Sequence, residues 1–345
     1  MKLGIIFGGK SNEHEVSVVS ATSIIKNLDK EKYDITPIYL DWDNEFYIWT
    51  EDISLINPLP LGSLPTKLEK VKDIVSFLKG FDCIFIMIHG QTGEDGSIAN
   101  LLDFLNTPYV GNKPAPSIIT MDKVYTKMIL EQNHIKISPY LSFRRYNKEY
   151  ILNGEILNFK KLLKRMENNL LFPVFVKPAN SGSSKGITRV VKKEELKEAI
   201  ELALTIDDHV LIEEEIVAKE LECAILEENG KILASVVGEI IANDEFYSFD
   251  AKYNNKESIT LIPANISKED EKRIQDIAKT AFKVLGLHGY SRIDFFLTSN
   301  HDIYLNEINT IPGFTSISMY PKLLEARGIP YSKLLDILIS EKCRK

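Results

Sequence analysis

No apolar run in this sequence approaches the roughly 20 residues that a membrane helix needs. The longest, CIFIMI at 83–88, suits a buried strand. The opening MKLGIIFGG has one lysine and a short apolar stretch before its glycines, which reads as a first strand and not as a secretion signal. A basic excess is also missing: 42 Lys and Arg stand against 49 Asp and Glu, a net charge of −7. That balance argues against a nucleic-acid scaffold, which needs a basic face. Only three cysteines occur, Cys83, Cys223 and Cys343, far apart and without C-x-x-C spacing. They read as free thiols in a reducing cytosol. The six histidines form no H-E-x-x-H, so the usual zinc signature is absent. G-x-G-x-x-G and the Walker A pattern are missing too, which argues against a dinucleotide-dependent oxidoreductase and a P-loop enzyme. There is no internal repeat and no low-complexity tract.

What remains is a chain of 345 residues, 44% apolar and 26% charged, long enough for two or three domains. Over the first hundred residues strand and helix patterns alternate. LGIIFGG, DITPIYLD, CIFIMIHG and PYVG read as strands, with SVVSATSIIKNL and SIANLLDFLN as helices. Such an order predicts a parallel α/β sheet with ligands at the C-terminal strand ends. Two glycine loops, FGGKSNEHE and IHGQTGEDG, lie at such ends. NKPAPSIITMDK reads as a crossover into a second domain, which holds the helix DKVYTKMILEQN and the strands LFPVFVKPA and GITRVV. A third region begins near HVLIEEEI, continues in strands through CAILEENGKILASVVGEII, and then turns helical at KEDEKRIQDIAKTAFKVLG. The predicted domains are 1–112, 113–210 and 211–345.

Near the end, GYSRIDFFLTSNHDIYLNEINTIPG reads as a hairpin. A two-residue turn at Asn300–His301 sets Asp294 opposite Glu307 and Arg292 opposite Asn309, all four on one face. Two carboxylates and a carboxamide suit Mg²⁺, which is commonly shared with substrate phosphates. Arg292 beside them reads either as a plain salt bridge or as a stabiliser of developing charge. Phosphate calls for further cations. Lys177 ends a buried strand before the small-residue run Ser181-Gly182-Ser183-Ser184, whose backbone donors suit phosphate oxygens. The acidic run LIEEEIVAKELE reads either as a solvated segment or as acceptors, Glu213, Glu214 and Glu220, for a nucleoside. The loop FYSFDAKYNNKES, within about 243–258, holds Lys252 and Tyr253 and reads as an active-site lid.

Taken together, GGKSNEHEVSVVSA, HGQTGEDGSIANLLDFLNTPYVG, MDK, VKPANSGSSKG, AKY, SRIDFF and LNEINTIPGFTSISMYP resemble, in order and over nearly the whole chain, the D-alanine–D-alanine ligases of the ATP-grasp superfamily. The resemblance implies a three-domain ATP-grasp fold: a Rossmann-like N-terminal domain, then central and C-terminal domains that clamp ATP. It implies two Mg²⁺ (or Mn²⁺) ions on Asp294, Glu307 and Asn309. ATP contacts fall on Lys123, Lys177, Ser183, Ser184, Glu213, Glu214, Ile216, Glu220 and Lys252. The first D-alanine falls to Glu13, Val16 and His89, with Ser183 and Tyr253 completing its surroundings, and the second D-alanine to Ser318 and Met319. Arg292 and the Gly313 amide are implied as oxyanion donors. The implied reaction joins two D-alanines through an acyl phosphate, in a cytoplasmic homodimer that supplies peptidoglycan precursors. The hinge IEEEIVAKELE departs from the family pattern, with acids where Lys and an aromatic residue often stand. The nearest rival is a sister ligase that joins D-alanine to D-serine or D-lactate; Tyr253 and Met319 favour D-alanine.

Overall fold

The computed structural model describes residues 1–182, 185–241 and 259–343. Strands β1 (Lys2–Gly8), β2 (Asp34–Leu40), β3 (Phe46–Trp49), β4 (Leu68–Lys70), β5 (Cys83–Met87) and β6 (Tyr109–Val110) form one sheet in the order β4-β3-β2-β1-β5-β6. The four strands read from sequence, β2, β1, β5 and β6, are mutually parallel as expected. The sheet is nonetheless mixed, because β3 and β4 add to it antiparallel. β3 follows a turn at Asn44, which takes a left-handed φ of 60°, and a turn of that kind reverses the chain without a crossover helix; β4 then pairs back onto β3 after the segment 50–67.

The second sheet joins β7 (Tyr140–Tyr146), β8 (Glu149–Leu152), β9 (Glu155–Leu157), β10 (Val174–Pro178), β11 (Thr188–Val190) and β12 (His209–Glu214) in the order β11-β10-β12-β7-β8-β9. The third joins β13 (Lys219–Glu228), β14 (Lys231–Ile241), β15 (Ile259–Leu261), β16 (Tyr290–Leu297) and β17 (Ile303–Asn309) in the order β15-β14-β13-β16-β17. The strand expected to open the third region, β12, instead lies inside the second sheet between β10 and β7. The chain changes sheets between Glu214 and Lys219.

Helix Lys268–Val284 shows how local chemistry builds the third layer. Ser267 caps it by accepting the Asp270 N–H at 3.0 Å, and three acids occupy the first turn, where the helix dipole favours them. Ile274, Ala278, Ala281 and Phe282 form its buried stripe against the sheet. The last segment of the chain packs elsewhere. Phe314, Tyr320, Leu334, Leu335 and Leu338 share the core of the first sheet, so the C-terminus folds back on the N-terminal body.

That return corrects the cysteine expectation. Cys83, at the start of β5, and Cys343, at the end of helix Tyr331–Cys343, form a disulfide with Cα atoms 5.7 Å apart. Only Cys223 is a free thiol. Sequence spacing hid the pair because 260 residues separate its members, and only the tertiary packing of the last helix brings them together. No helix among the described residues is long and apolar enough to cross a membrane.

Candidate active site

The first wall of the cleft comes from the two glycine loops. Gly93 is required in the second: a Cβ there would lie 1.9 Å from the Ile88 carbonyl oxygen. The following Asp95 accepts the N–H groups of Thr92 and Ser97, both at 2.9 Å, which closes the turn into helix Ser97–Leu105. Ser11 Oγ donates to the His89 carbonyl at 2.7 Å and ties the two loops together. Glu13 and His89 both line the cleft. A side chain at Gly182 would come within 3.1 Å of the Glu13 carboxylate, so Gly182 bounds the space around Glu13 from the far side. Val16 is buried in the first turn of helix His14–Asn27 and is not among the lining residues.

His89 turns out to be an anchor. Its Nδ1 lies 2.8 Å from the Ile311 carbonyl and its Nε2 3.0 Å from Ser20 Oγ. The carbonyl can only accept, so Nδ1 carries the proton. Burial lowers the His89 pKa, which favours this neutral form. Ser20 Oγ also accepts the Phe314 N–H at 3.3 Å. The Pro312-Gly313 turn is thereby pinned to the N-terminal body. Ser318 Oγ accepts the Thr315 N–H at 3.0 Å on the other side of that turn, and Gly313, Ser318 and Met319 line the cleft.

Asp122 of MDK caps helix Lys123–Gln132, accepting from Val124 and Tyr125 at 2.9 and 3.1 Å. The cap delivers Lys123 as the first helical residue, and its Nζ donates to the Ser181 carbonyl. Burial lowers its pKa, against a pull from Glu307. One turn on, Lys127 reaches Glu213 Oε1 at 2.5 Å, while Lys177 pairs with Glu213 Oε2. Burial alone would raise the Glu213 pKa, but the two ammonium groups hold it down at about 2. Both oxygens of the Glu213 carboxylate are thus paired with lysines. Glu214 accepts the Leu171 N–H at 2.9 Å, and Arg189 forks Glu215 at 2.7 and 2.8 Å. Glu214, Ile216 and Glu220 line this lobe of the cleft.

The hairpin of β16 and β17 has the expected pairs, Asp294 with Glu307 and Arg292 with Asn309. It reaches them by another route. His301 takes φ 62°, and Thr298 and Asp302 close the loop by hydrogen bonding, so three residues turn the chain where two were predicted. Phe295 accordingly faces Leu305. A bulge at Asn306 then shifts the register by one, which restores the Asp294–Glu307 pair. Arg292 donates through Nε and a terminal nitrogen to the two Asp294 oxygens at 2.8 and 2.7 Å, and Asn309 Nδ2 donates to Asp294 at 3.0 Å. Burial works against the Arg292 charge, but Asp294 and then Glu222 hold its pKa well above the ordinary value. Among the described residues no group of three or more His, Cys, Asp or Glu stands ready for a metal ion.

Two lobes meet at this hairpin. One is lined by Lys177, residues 213–218 and Glu220, the other by Glu13, His89, Lys123, Gly313, Ser318 and Met319; Glu222, Arg292 and Glu307 line both. Ser183, Ser184, Lys252, Tyr253 and the expected lid at 243–258 lie outside the described residues. Three groups in or beneath the cleft escaped the sequence reading. Glu94 accepts the N–H groups of Gly90 and Ile311, both at 3.2 Å, and burial with the neighbouring Glu13 charge raises its pKa to about 8. It sits inside the quoted HGQTGEDG loop. Lys127 lies four residues after Lys123, on the same helix face. Glu222 lies two after Glu220, on the same strand face.

Family models described as "D-ala D-ala ligase N-terminus" and "D-ala D-ala ligase C-terminus" match residues 2–112 and 129–340. A D-alanine–D-alanine ligase of Caldicellulosiruptor bescii is 41% identical over 99% of this chain and 94% of its own length. One from Clostridium acetobutylicum is 42% identical over 98% and 96%. Among solved structures, the VanG D-Ala:D-Ser ligase from Enterococcus faecalis is similar at TM-score 0.85 and 36% identity, covering 98% of each chain. The D-alanine–D-alanine ligase from Coxiella burnetii is similar at TM-score 0.82 and 33% identity, covering 99% of this chain and 93% of its own.

Proposed function

The chain belongs to the D-alanine–D-alanine ligase family, and from that premise we propose how its cleft joins two molecules of D-alanine at the expense of ATP. The observation that carries the reading is the shared wall of the two lobes, Arg292 and Glu307. A nucleotide in the Lys177 lobe would end, and an amino acid in the Glu13 lobe would begin, at the same hairpin. A carboxylate is a poor acyl donor. Attack of the first D-alanine's carboxylate on the γ-phosphorus releases ADP and leaves an acyl phosphate. The second D-alanine's amine, having lost a proton, then attacks the acyl carbon; the peptide bond forms and inorganic phosphate leaves.

The protein's part is alignment and charge. Lys123 and Lys177 offer cations to the phosphates, while Glu213 offsets part of that charge when ATP is absent. Ser183, Ser184 and Lys252 are assigned to ATP as well, with Glu214, Ile216 and Glu220 along the nucleoside. Glu13 is the acid that pairs with the first ammonium, with Ser183 and Tyr253 as its companions and Val16 behind it. Ser318 and Met319 border the second D-alanine. Arg292 and the Gly313 amide donate to the tetrahedral oxyanion. Asp294, Glu307 and Asn309 are hard oxygen donors on one strand-paired face, and the donor set fits Mg²⁺ or Mn²⁺. When bound, such ions neutralise the triphosphate and leave the displacement less charged.

We read the chain as three bodies near 1–112, 113–210 and 211–345, with the second boundary moved toward 215–218 by the sheet membership of β12. The dipeptide suits peptidoglycan precursor supply in the cytoplasm, and the family suits a homodimer. The test is phosphate release from ATP with D-alanine present or omitted, together with the mass of the product. Release that ignores D-alanine sinks the reading. The likeness to a D-Ala:D-Ser ligase favours one alternative second substrate. Met319, Ile317 and Ile240 give the cleft an apolar stretch that suits a methyl side chain better than a hydroxymethyl one. D-alanine is expected to outcompete D-serine, and D-lactate to give no product.

A further inference from the structure

Glu222 belongs to no role given so far, yet it is only 5% exposed at the centre of the cleft. It pairs with Asp294 across β13 and β16, and its Oε2 lies 3.1 Å from Arg292 Nε. The single hydrogen on that nitrogen is directed to Asp294 Oδ1. Asp294 thus takes both arms of the Arg292 fork and the Asn309 amide as well. A carboxylate held by three N–H groups has little left to give a divalent cation. For Asp294 to serve as a ligand, the guanidinium must release it. A buried guanidinium released without another anion would be left as an uncompensated buried charge, which is strongly unfavourable.

We propose that Glu222 is a positioning residue that receives Arg292 when Asp294 turns to a divalent cation. The inference rests on the ligase reading and deepens it. A small rotation carries Arg292 from Asp294 to Glu222, one strand over on the same sheet face. The charge of Arg292 stays compensated, its terminal nitrogens turn toward the reacting carbonyl, and both Asp294 oxygens open to the cation.

The test is Mn²⁺ binding to the full chain in the presence of ADP, read as free Mn²⁺ by electron paramagnetic resonance, with no turnover involved. Glu222→Gln is expected to raise the Mn²⁺ Kd by roughly tenfold, the size of a coupling between contacting groups. In an Arg292→Gln background the same change is expected to shift Kd by less than about twofold, because the residue it acts through is gone. Equal weakening in both backgrounds would mean that Glu222 contributes charge alone, and would overturn the proposal. Glu222→Asp separates charge from reach and stands in should Glu222→Gln fail to fold. It keeps the carboxylate but draws it back from Arg292, so a Kd raised about threefold supports positioning, and an unchanged Kd overturns it. In steady state, kcat is expected to fall more than KM for ATP rises. A wild-type chain that makes no dipeptide sinks the ligase reading itself; an active wild type with Mn²⁺ affinity indifferent to both variants sinks only the role of Glu222.

Discussion

Lys127 and Lys177 meet on one carboxylate: the first approaches Glu213 Oε1 at 2.5 Å and the second takes Oε2, with Lys127 and Glu213 almost wholly buried. Two cations and one anion leave the triad itself with a net positive charge, which a phosphate would offset. The ion triad also ties helix Lys123–Gln132 to β10 and β12. Glu213 is held at about 2, against an ordinary 4.5. A lowered carboxylate pKa stabilises the fold above the unfolded value and loses that contribution as pH falls from 4.5 toward 2. Glu213→Gln is therefore expected to cost about 3 kcal/mol at pH 7. Its melting should also change less than wild type between pH 4.5 and 2. Thermal melts across that range check both; equal acid sensitivity in the two proteins would remove the triad from the stability argument.

Glu94 works in the opposite direction. Its pKa is raised to about 8 by burial and then by Glu13, so the folded chain holds a proton that the unfolded chain would release above 4.5. Stability is expected to fall as pH rises from 4.5 through 8. Glu94→Gln cannot accept from both the Gly90 and Ile311 N–H groups, so it should start from a lower melting point at acid pH. It should nevertheless lose less between pH 6 and pH 9. Parallel melting curves for variant and wild type over that interval would contradict the assignment.

The hairpin shows what the sequence made legible and how. Alternating apolar residues and the oxygen-bearing side chains between them set the sheet faces, which predicted the Asp294–Glu307 pair. The loop was read one residue short and the bulge at Asn306 was not read at all, and the two errors cancelled. Bulges leave almost no mark in composition. The meander β7–β9 did leave one: Asn153-Gly154, with φ of 50° and 81°, is a hairpin-turn dipeptide flanked by strand residues. Glu94, Lys127 and Glu222 went unread because each gains at least one partner from a distant element. The Cys83–Cys343 pair escaped for the same reason.

That disulfide is expected to be measurable directly. Peptide mapping without reduction should recover the segments around Cys83 and Cys343 as one linked species. Burial pushes the Cys223 thiol up to about 12, so alkylation of the native oxidised chain should label next to nothing. After unfolding and reduction, all three cysteines of the sequence should react. Closing so long a loop is worth up to ~5 kcal/mol in the chain-entropy account, so reduction should lower the melting temperature. A Cys83→Ser variant should melt alike with and without reductant. Three reactive thiols in the native oxidised chain would dismiss the bridge.

Glu307 gives the sharpest test of the cleft. It pairs with Asp294 across the hairpin, lines both lobes, and its charge acts on Lys123, Arg292 and Glu94. Glu307→Gln keeps the shape and removes one negative charge from the set of groups proposed to hold cations around phosphates. Dipeptide formation is expected to fall by about 100-fold or more, the scale seen when one element of a preorganised charged site is lost. The melting point should stay near wild type, since the side chain is partly exposed and the amide is isosteric. Chelation of divalent cations should silence the wild-type enzyme, and Mg²⁺ or Mn²⁺ should restore it. In the variant, excess Mn²⁺ should recover only part of the loss, because the proposed ligand set still carries one fewer charge. Near-normal turnover of Glu307→Gln with Mg²⁺ would show that this face of the hairpin holds no catalytic cation.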